Sequence, residues 1–397
     1  MERLDSQALV RELAALEARH LRRRRRIVEA TPDLDQPARV RVDGRELLNF
    51  CSNDYLGLRT HPELIRAASE CMRQHGFGAG ASHLVTGHSL EHHALETELA
   101  AFTGRERALL FSSGYMANLG VISALSSRHE LIVADRLNHA SLLDAARVAG
   151  ARLRRYPHLQ SSAAALALEG HPGAAMIVTD GVFSMDGDIA PVSELAVLAA
   201  QRGAWLMVDD AHGLGVLGAG GGGTLEQAGL DARAVPILIG TLGKALGSFG
   251  AFVAGDAALI EFLIQRARTY VYTTALPPAI AAATRAALRL VQNEPWRRQR
   301  LHALVARFRA GAAAHGLPLL PSSTPIQPLI VGSSAHALAL SEALGAQGFW
   351  VGAIRPPTVP QGSARLRVTL SAAHDEAQVD ALIEALAAVF AQEAMRA

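Results

Sequence analysis

Apolar and polar positions change rhythm three times along this chain. Near the amino end, Leu9, Leu13, Leu16 and Leu21 recur on one helical stripe, which predicts a helix over 7–27 closing on five consecutive arginines, Arg22 to Arg26. Pro32 and Pro37 mark a loop, and the alternating Arg39-Val-Arg-Val-Asp-Gly predicts a small hairpin leading into 47–53. From about residue 105, short apolar runs alternate with stretches of helical length. The runs are 108–111, 131–134, 175–179, 205–208, 236–239 and 251–254; the helical stretches include 116–125, 141–149, 192–201 and 257–268. Such alternation predicts a largely parallel sheet covered by helices on both faces. The last third changes again, to Ala/Arg/Leu-rich helices at 279–292, 297–314 and 335–347 with strands at 326–331 and 366–370. The expected organisation is an N-terminal helix and hairpin segment (1–50), a large α/β domain (51–285) and a smaller α+β C-terminal domain (286–397).

Composition narrows the class. A chain of 397 residues, 50% hydrophobic and 19% charged, has material for a large buried interior and length for two structural units. With 38 basic residues against 37 acidic, no global field attracts nucleic acid or an anionic membrane. Cys51 and Cys71 make neither a disulfide framework nor a metal-ligand spacing. No uncharged apolar run approaches the roughly 20 residues of a membrane span, and the first residues carry acids where a signal peptide has its apolar core. A soluble cytoplasmic protein is expected, with no nucleic-acid or membrane partner.

Candidate chemistry gathers at the ends of the apolar runs. Lys244 stands in the Gly-rich turn Thr241-Leu-Gly-Lys-Ala-Leu-Gly, directly after the strand-like 235–240. Asp209 and His212 end another strand-like run, 204–210. A lysine to form an imine, an acid to keep a pyridine nitrogen protonated and an imidazole for a phenolic oxygen are what pyridoxal 5′-phosphate (PLP) requires. Ser112-Ser113-Gly114-Tyr115 links a strand to a helix, whose first N–H groups and dipole suit a phosphate. Thr241 and Thr274 are further hydroxyl donors to that phosphate. His139 opens a helix at the mouth of the sheet, where it can stack on a cofactor or simply cap the helix, and Ser184 is expected to end a strand at the same edge.

Six segments together resemble the α-oxoamine synthases: Ser52-Asn-Asp-Tyr-Leu-Gly-Leu, Leu84-Val-Thr-Gly, Asn138-His-Ala-Ser, Gly181-Val-Phe-Ser-Met-Asp-Gly-Asp, Val208-Asp-Asp-Ala-His-Gly and Thr241-Leu-Gly-Lys. They fall in order over nearly the whole chain. The resemblance implies PLP-dependent fold type I, the aspartate-aminotransferase-like architecture, and a homodimer with shared active sites. It makes Lys244 the Schiff-base lysine and Asp209 the partner of the pyridine nitrogen. His212 and Ser184 would flank the ring oxygen, His139 would stack on the ring and meet substrate, and Gly114, Tyr115 and Thr241 would hold the phosphate. Thr274 would arrive from a second subunit.

The segments around Arg355-Pro-Pro-Thr358 and Ala364-Arg-Leu-Arg367 are similar to those of members that join L-alanine to a pimeloyl thioester. By that resemblance Arg367 clamps the alanine carboxylate, with Arg365 its structural neighbour or the reverse. Thr358 and an arginine of the 22–26 run, Arg23 foremost, contact substrate. The amine of Lys244 would then carry the Cα proton. His83 departs from the family pattern, in which many relatives have arginine.

Rival readings remain. Glycine-using synthases such as 2-amino-3-ketobutyrate ligase or 5-aminolevulinate synthase share most of the motifs. Gly213-Leu-Gly-Val-Leu-Gly218 fits the dinucleotide fingerprint of an NAD-dependent dehydrogenase, but it runs into the Gly-rich 219–223 rather than an apolar helix. His88, His92 and His93 with Glu91 suggest a metal site; surface histidines are the expected alternative. No Gly-x-Ser-x-Gly elbow is present.

Overall fold

The computed structural model describes residues 5–30, 36–171 and 175–394; Pro32 lies outside them. The chain divides into two compact units. One comprises Asp54–Ser184 and Asp188–Gln299; the other comprises the residues up to Asn53, Met185–Gly187 and those from Arg300 onward. The carboxyl boundary thus falls inside the helix Trp296–Ala314 rather than near 286. The N-terminal hairpin is no separate segment, because Phe349–Trp350 adds in parallel to its strand Arg45–Asn49.

The larger unit is built on a seven-stranded sheet. Its spatial order is Arg107–Phe111, Ala251–Gly255, Ile237–Thr241, Trp205–Asp209, Ala175–Asp180, Leu131–Asp135 and Arg152–Tyr156. Only Ala251–Gly255 runs against the rest. The central strands are apolar along their length because helices cover both faces, forming two buried clusters, one on each side of the sheet. The strand Arg152–Tyr156 escapes the sequence pattern: Arg-Leu-Arg-Arg-Tyr is polar because the strand is an edge, with its three arginines exposed. One consequence of the parallel order is that Asp135, Asp180, Asp209 and Thr241 all end strands at one edge.

The smaller unit holds a four-stranded sheet, in the order Val28–Ala30, Arg39–Val42, Arg45–Asn49 and Phe349–Trp350, and a three-stranded antiparallel sheet of Ile326–Gly332, Ala364–Thr369 and Gly352–Ile354. Helices Trp296–Ala314, Ser334–Ala346 and Glu376–Ala394 accompany them. The expected N-terminal helix is shorter than its leucine stripe predicts. It spans Ser6–Ala18, capped by Asp5, and residues 21–27 have no regular secondary structure. Five adjacent arginines on a helix would place like charges three and four residues apart. Outside a helix they disperse instead: Arg22 and Arg24 meet Glu17, and Arg26 meets Asp43. Among the described residues no helix is long and apolar enough to cross a membrane.

Candidate active site

The parallel edge brings together the residues that the sequence separates by up to 190 positions. Lys244 lies in the turn after Ile237–Thr241, and its Nζ is 3.0 Å from His212 Nε2. His212 Nδ1 is in turn 2.6 Å from the hydroxyl of Tyr55. An ammonium has no lone pair, so a charged Lys244 donates to Nε2, and the ring proton then sits on Nδ1 and is donated to Tyr55. The turn needs its last glycine: Gly247 has φ of 62°, and a Cβ there would come within 2.6 Å of the Leu58 carbonyl carbon.

Asp209 closes the neighbouring strand. It is buried, accepts 2.7 Å from Asn118 Nδ2 and 3.1 Å from the backbone N–H of Ala211. Asn118 also donates to Ser141 Oγ at 2.9 Å, and that hydroxyl is 2.7 Å from His139 Nδ1. His139 is the N-cap of the helix Ala140–Ala149, so the capping role is present. Its backbone N–H donates 2.6 Å to Asp180, the end of the next strand. Burial holds His139 below the usual imidazole range, with Lys244 pushing the same way against the attraction of Asp209. The ring is therefore neutral at pH 7. Asp180 is raised well above the carboxylate range, by burial first and by the charge of Asp209 next.

The predicted phosphate donors lie on a real helix start. Gly114–Leu125 is capped by Ser113, whose hydroxyl accepts from Met116 N, while the N–H groups of Gly114 and Tyr115 have no acceptor within the helix. A Cβ on Gly114 would meet open space, so there is room before these donors. Tyr115 is half-exposed and its hydroxyl donates 2.9 Å to Asp144. Thr241 donates to the Gly250 carbonyl at 3.1 Å and must turn to serve a phosphate. Thr274 is exposed, beyond the short helix Arg268–Val271.

Ser184 does not end a strand. The strand stops at Asp180, and residues 181–190 fold back as a tight loop through Phe183 N to Asp188 O and Ala190 N to Gly181 O. His158 pins this loop by bonding Asp135 at 2.9 Å and Asp188 at 2.8 Å. Burial opposes its charge, but the two carboxylates outweigh it and raise the imidazole to about 10.

In the smaller unit, the two arginines of Ala364–Thr369 part company. Arg365 makes a buried pair with Asp186 at 2.7 Å and bonds the Met185 carbonyl. Arg367 donates to Asn53 at 3.3 Å and to Thr369 at 3.0 Å. Of the arginine run, Arg23 is the one that meets Thr358, at 3.0 Å. Arg355 binds the His20 carbonyl; burial lowers its pKa from the usual guanidinium value, and the charge of Arg23 adds to this.

Tyr55, Asn118, Ser141 and Asp180 complete this network, and sequence reasoning missed their roles. Tyr55 did lie within a quoted motif; Asn118 is a lone amide on an otherwise apolar helix, which is the one signal that it carried. The dinucleotide reading fails, because Gly213–Gly218 folds as turns and the next helix, Thr224–Gln227, is a single turn. A cleft of about 540 Å³ lined by Phe102, Arg105, Leu225, Glu226 and Gln292 contains none of the Lys244 network; here chemistry, not cavity size, locates the site.

The donor set fits PLP: an amine beside an imidazole, two buried carboxylates whose mutual repulsion favours a cationic ring, a neutral histidine, and a helix start with space before it. Comparisons agree with this chemistry. The family model for aminotransferase class I and II matches residues 45–386. The 8-amino-7-oxononanoate synthase of Methylococcus capsulatus is 61% identical over 96% of this chain and 98% of its own. The high-resolution structure of SPT with PLP internal aldimine superposes with a TM-score of 0.90 at 29% identity, covering 96% of each chain. The crystal structure of 8-amino-7-oxononanoate synthase from Francisella tularensis gives a TM-score of 0.77 at 33% identity, covering 87% of this chain and 98% of that one.

Proposed function

The chain belongs to the class I and II aminotransferase family, and we infer that within it the protein condenses L-alanine with a pimeloyl thioester. The products are 8-amino-7-oxononanoate, CO2 and the free thiol, a step of biotin biosynthesis. The observation that carries this reading is Lys244 Nζ at 3.0 Å from His212, at one sheet edge with the buried Asp209, in a chain 61% identical to a synthase of that name.

PLP is the cofactor, and when bound its protonated ring draws off the negative charge that develops at the amino-acid Cα. Lys244 anchors it and moves the Cα proton, an amine beside a cation being a better base at neutral pH than a free lysine. Asp209, fixed by Asn118 and Ala211, opposes the positive charge of the ring nitrogen. His139 would stack on the ring and meet substrate; burial favours its neutral form, which would spare the ring a second positive charge. His212 and Ser184 would serve the ring-oxygen side, and Gly114, Tyr115 and Thr241 would hold the phosphate. Thr274 reaches the phosphate of a second copy, in a homodimer that works in the cytoplasm.

Arg365 is committed to Asp186, so Arg367 is the fork for the alanine carboxylate. Arg23 and Thr358, already bonded to each other, contact the substrate.

Amino-acid titration of the purified holoenzyme tests the assignment. L-alanine is expected to shift the visible absorbance and saturate, with glycine weak or silent. Tight saturation by glycine and none by alanine would place the chain with the glycine-using synthases instead.

A further inference from the structure

We propose that His83, His88 and His92 form a binding site for a divalent transition-metal cation of the imidazole-preferring class, with Zn2+ as its reference ion. Spacing alone favours surface histidines at 88, 92 and 93. Instead His92 is fully buried, and the turn His83–Gly87 brings a second buried histidine against it. One nitrogen of each of the three rings lies within 4.8 Å of the other two.

The geometry is close to what a metal needs. His83 Nδ1 and His88 Nδ1 are 3.1 Å apart. Two nitrogens each about 2.05 Å from a tetrahedral zinc are separated by roughly 3.3 Å, so these two rings require a shift of tenths of an ångström. His92 Nε2 donates 2.7 Å to the Leu276 carbonyl. That bond fixes the tautomer and leaves the lone pair on Nδ1, the arrangement that a metal-bound histidine commonly shows. His83 is held in plane by stacking on Tyr270, with ring centroids 5.0 Å apart and planes 13° from parallel.

The rings are also in the right protonation state. Burial, with the other two histidines adding, pulls His83 down to about 3, and burial lowers His88 and His92 too. Neutral imidazoles compete with no proton for the metal. His88 is exposed and gives the ion a way in. Two interactions oppose binding: the hydrogen bond between His83 Nδ1 and His88 Nδ1, in which one nitrogen carries a proton that must move to Nε2, and the contact of His92 Nδ1, which accepts from Ser89 N at 3.0 Å and lies 2.9 Å from Ser89 Oγ as the cap of the helix Leu90–Phe102. The metal displaces that cap, so the affinity is below that of a preformed three-histidine site. His88 also belongs to an overlapping group with His93 and Glu96, which the experiment separates.

The test uses tag-free holoenzyme, stripped with EDTA and desalted. Co2+ is titrated while its ligand-field bands are followed, and Zn2+ binding is measured by calorimetry. One ion per chain is expected. His88→Gln, at an exposed position that folding tolerates, should weaken binding at least about tenfold, and His93→Gln should leave it within about twofold. The proposal is overturned if the wild type takes up neither ion, or if His88→Gln binds like the wild type. It is equally overturned if His93→Gln abolishes binding, which would assign the ion to the group with Glu96.

Discussion

Two charged regions of this molecule handle crowding in opposite ways. At the carboxyl edge of the large sheet, Asp180, Asp209 and Asp210 are buried within a few residues of one another in space or sequence. Burial, and after it the charge of Asp209, raises both Asp180 and Asp210, the latter to about 7. On the strand Ala364–Thr369 of the smaller unit, Arg365 and Arg367 are equally buried, at 4% and 7% exposure. There the problem is solved pairwise, with Asp186 given to Arg365. The first region has more acid than the pocket can ionise, so it favours an incoming cation. In the second, Arg365 holds a carboxylate while Arg367 donates to the neutral side chains of Asn53 and Thr369, so the two guanidiniums have different partners. Like-charged neighbours in sequence can therefore have different tasks, and the partner of each decides which.

The strongest way to break this comparison is to remove the cation that the acidic edge already holds. Lys244→Ala is expected to lower kcat/KM for alanine and pimeloyl thioester by at least about 10³-fold, roughly 4 kcal/mol of transition-state stabilisation. The purified protein should also lose its covalent chromophore. A variant that remained coloured through a stable imine and turned over at full rate would remove Lys244 from the chemistry.

The acidic edge was the more legible of the two regions. Asp209, His212 and Lys244 each stand just after an apolar run, and in a parallel sheet such positions converge on one edge whatever the intervening length. The partners that hold them were not legible. Tyr55 reaches His212 across 157 residues and Asn118 reaches Asp209 across 91, and no local spacing encodes such contacts. Ser184 was placed at a strand end because Val182-Phe183 continues the apolar run, whereas the backbone has already turned at Gly181. The arginine region was less legible still. Arg365 and Arg367 share one face of one strand by their spacing, so only Asp186, brought from another part of the chain, tells them apart. Likewise the leucine stripe overran the true end of the first helix, because periodicity records the apolar face and not the repulsion among Arg22 to Arg26.

Substituting the two arginines sharpens the comparison at an intermediate magnitude. Arg365→Leu leaves Asp186 without its counter-charge and should cost about 3 kcal/mol of stability, the low end for a broken buried pair because Asp186 keeps some exposure. Arg367→Lys keeps the charge but loses the two-pronged fork. It should raise the KM for alanine by about 10- to 100-fold with little change in melting temperature. Thermal denaturation and alanine saturation curves on both variants check this. Exchange of the two outcomes would exchange the two roles.

The last expected effect has an unusual sign. Asp210 is wrapped so closely that a Cβ on Gly213 or Gly223 would fall within 2.1 Å of its carboxyl oxygens, and it accepts 2.7 Å from the backbone N–H of Thr224. Folded, it keeps its proton to about 7; unfolded, it gives the proton up near 3.8. Between those values the folded state binds more protons than the unfolded one, so its contribution to stability falls as pH rises. Most paired surface carboxylates do the reverse, and do so at lower pH. Asp210→Asn keeps an acceptor for Thr224 and removes the titration. The variant should match the wild type near about pH 4, gain on it as pH rises, and exceed it most above about pH 7, in urea midpoints taken at one protein concentration. His158 does not confuse the reading: its cationic form stabilises fully below 6.5, and that contribution is lost only as pH climbs toward about 10. If wild type and Asp210→Asn ran parallel from pH 4 to 7, Asp210 would be ionised in the fold, and the acidic edge would be paired as thoroughly as the arginine strand.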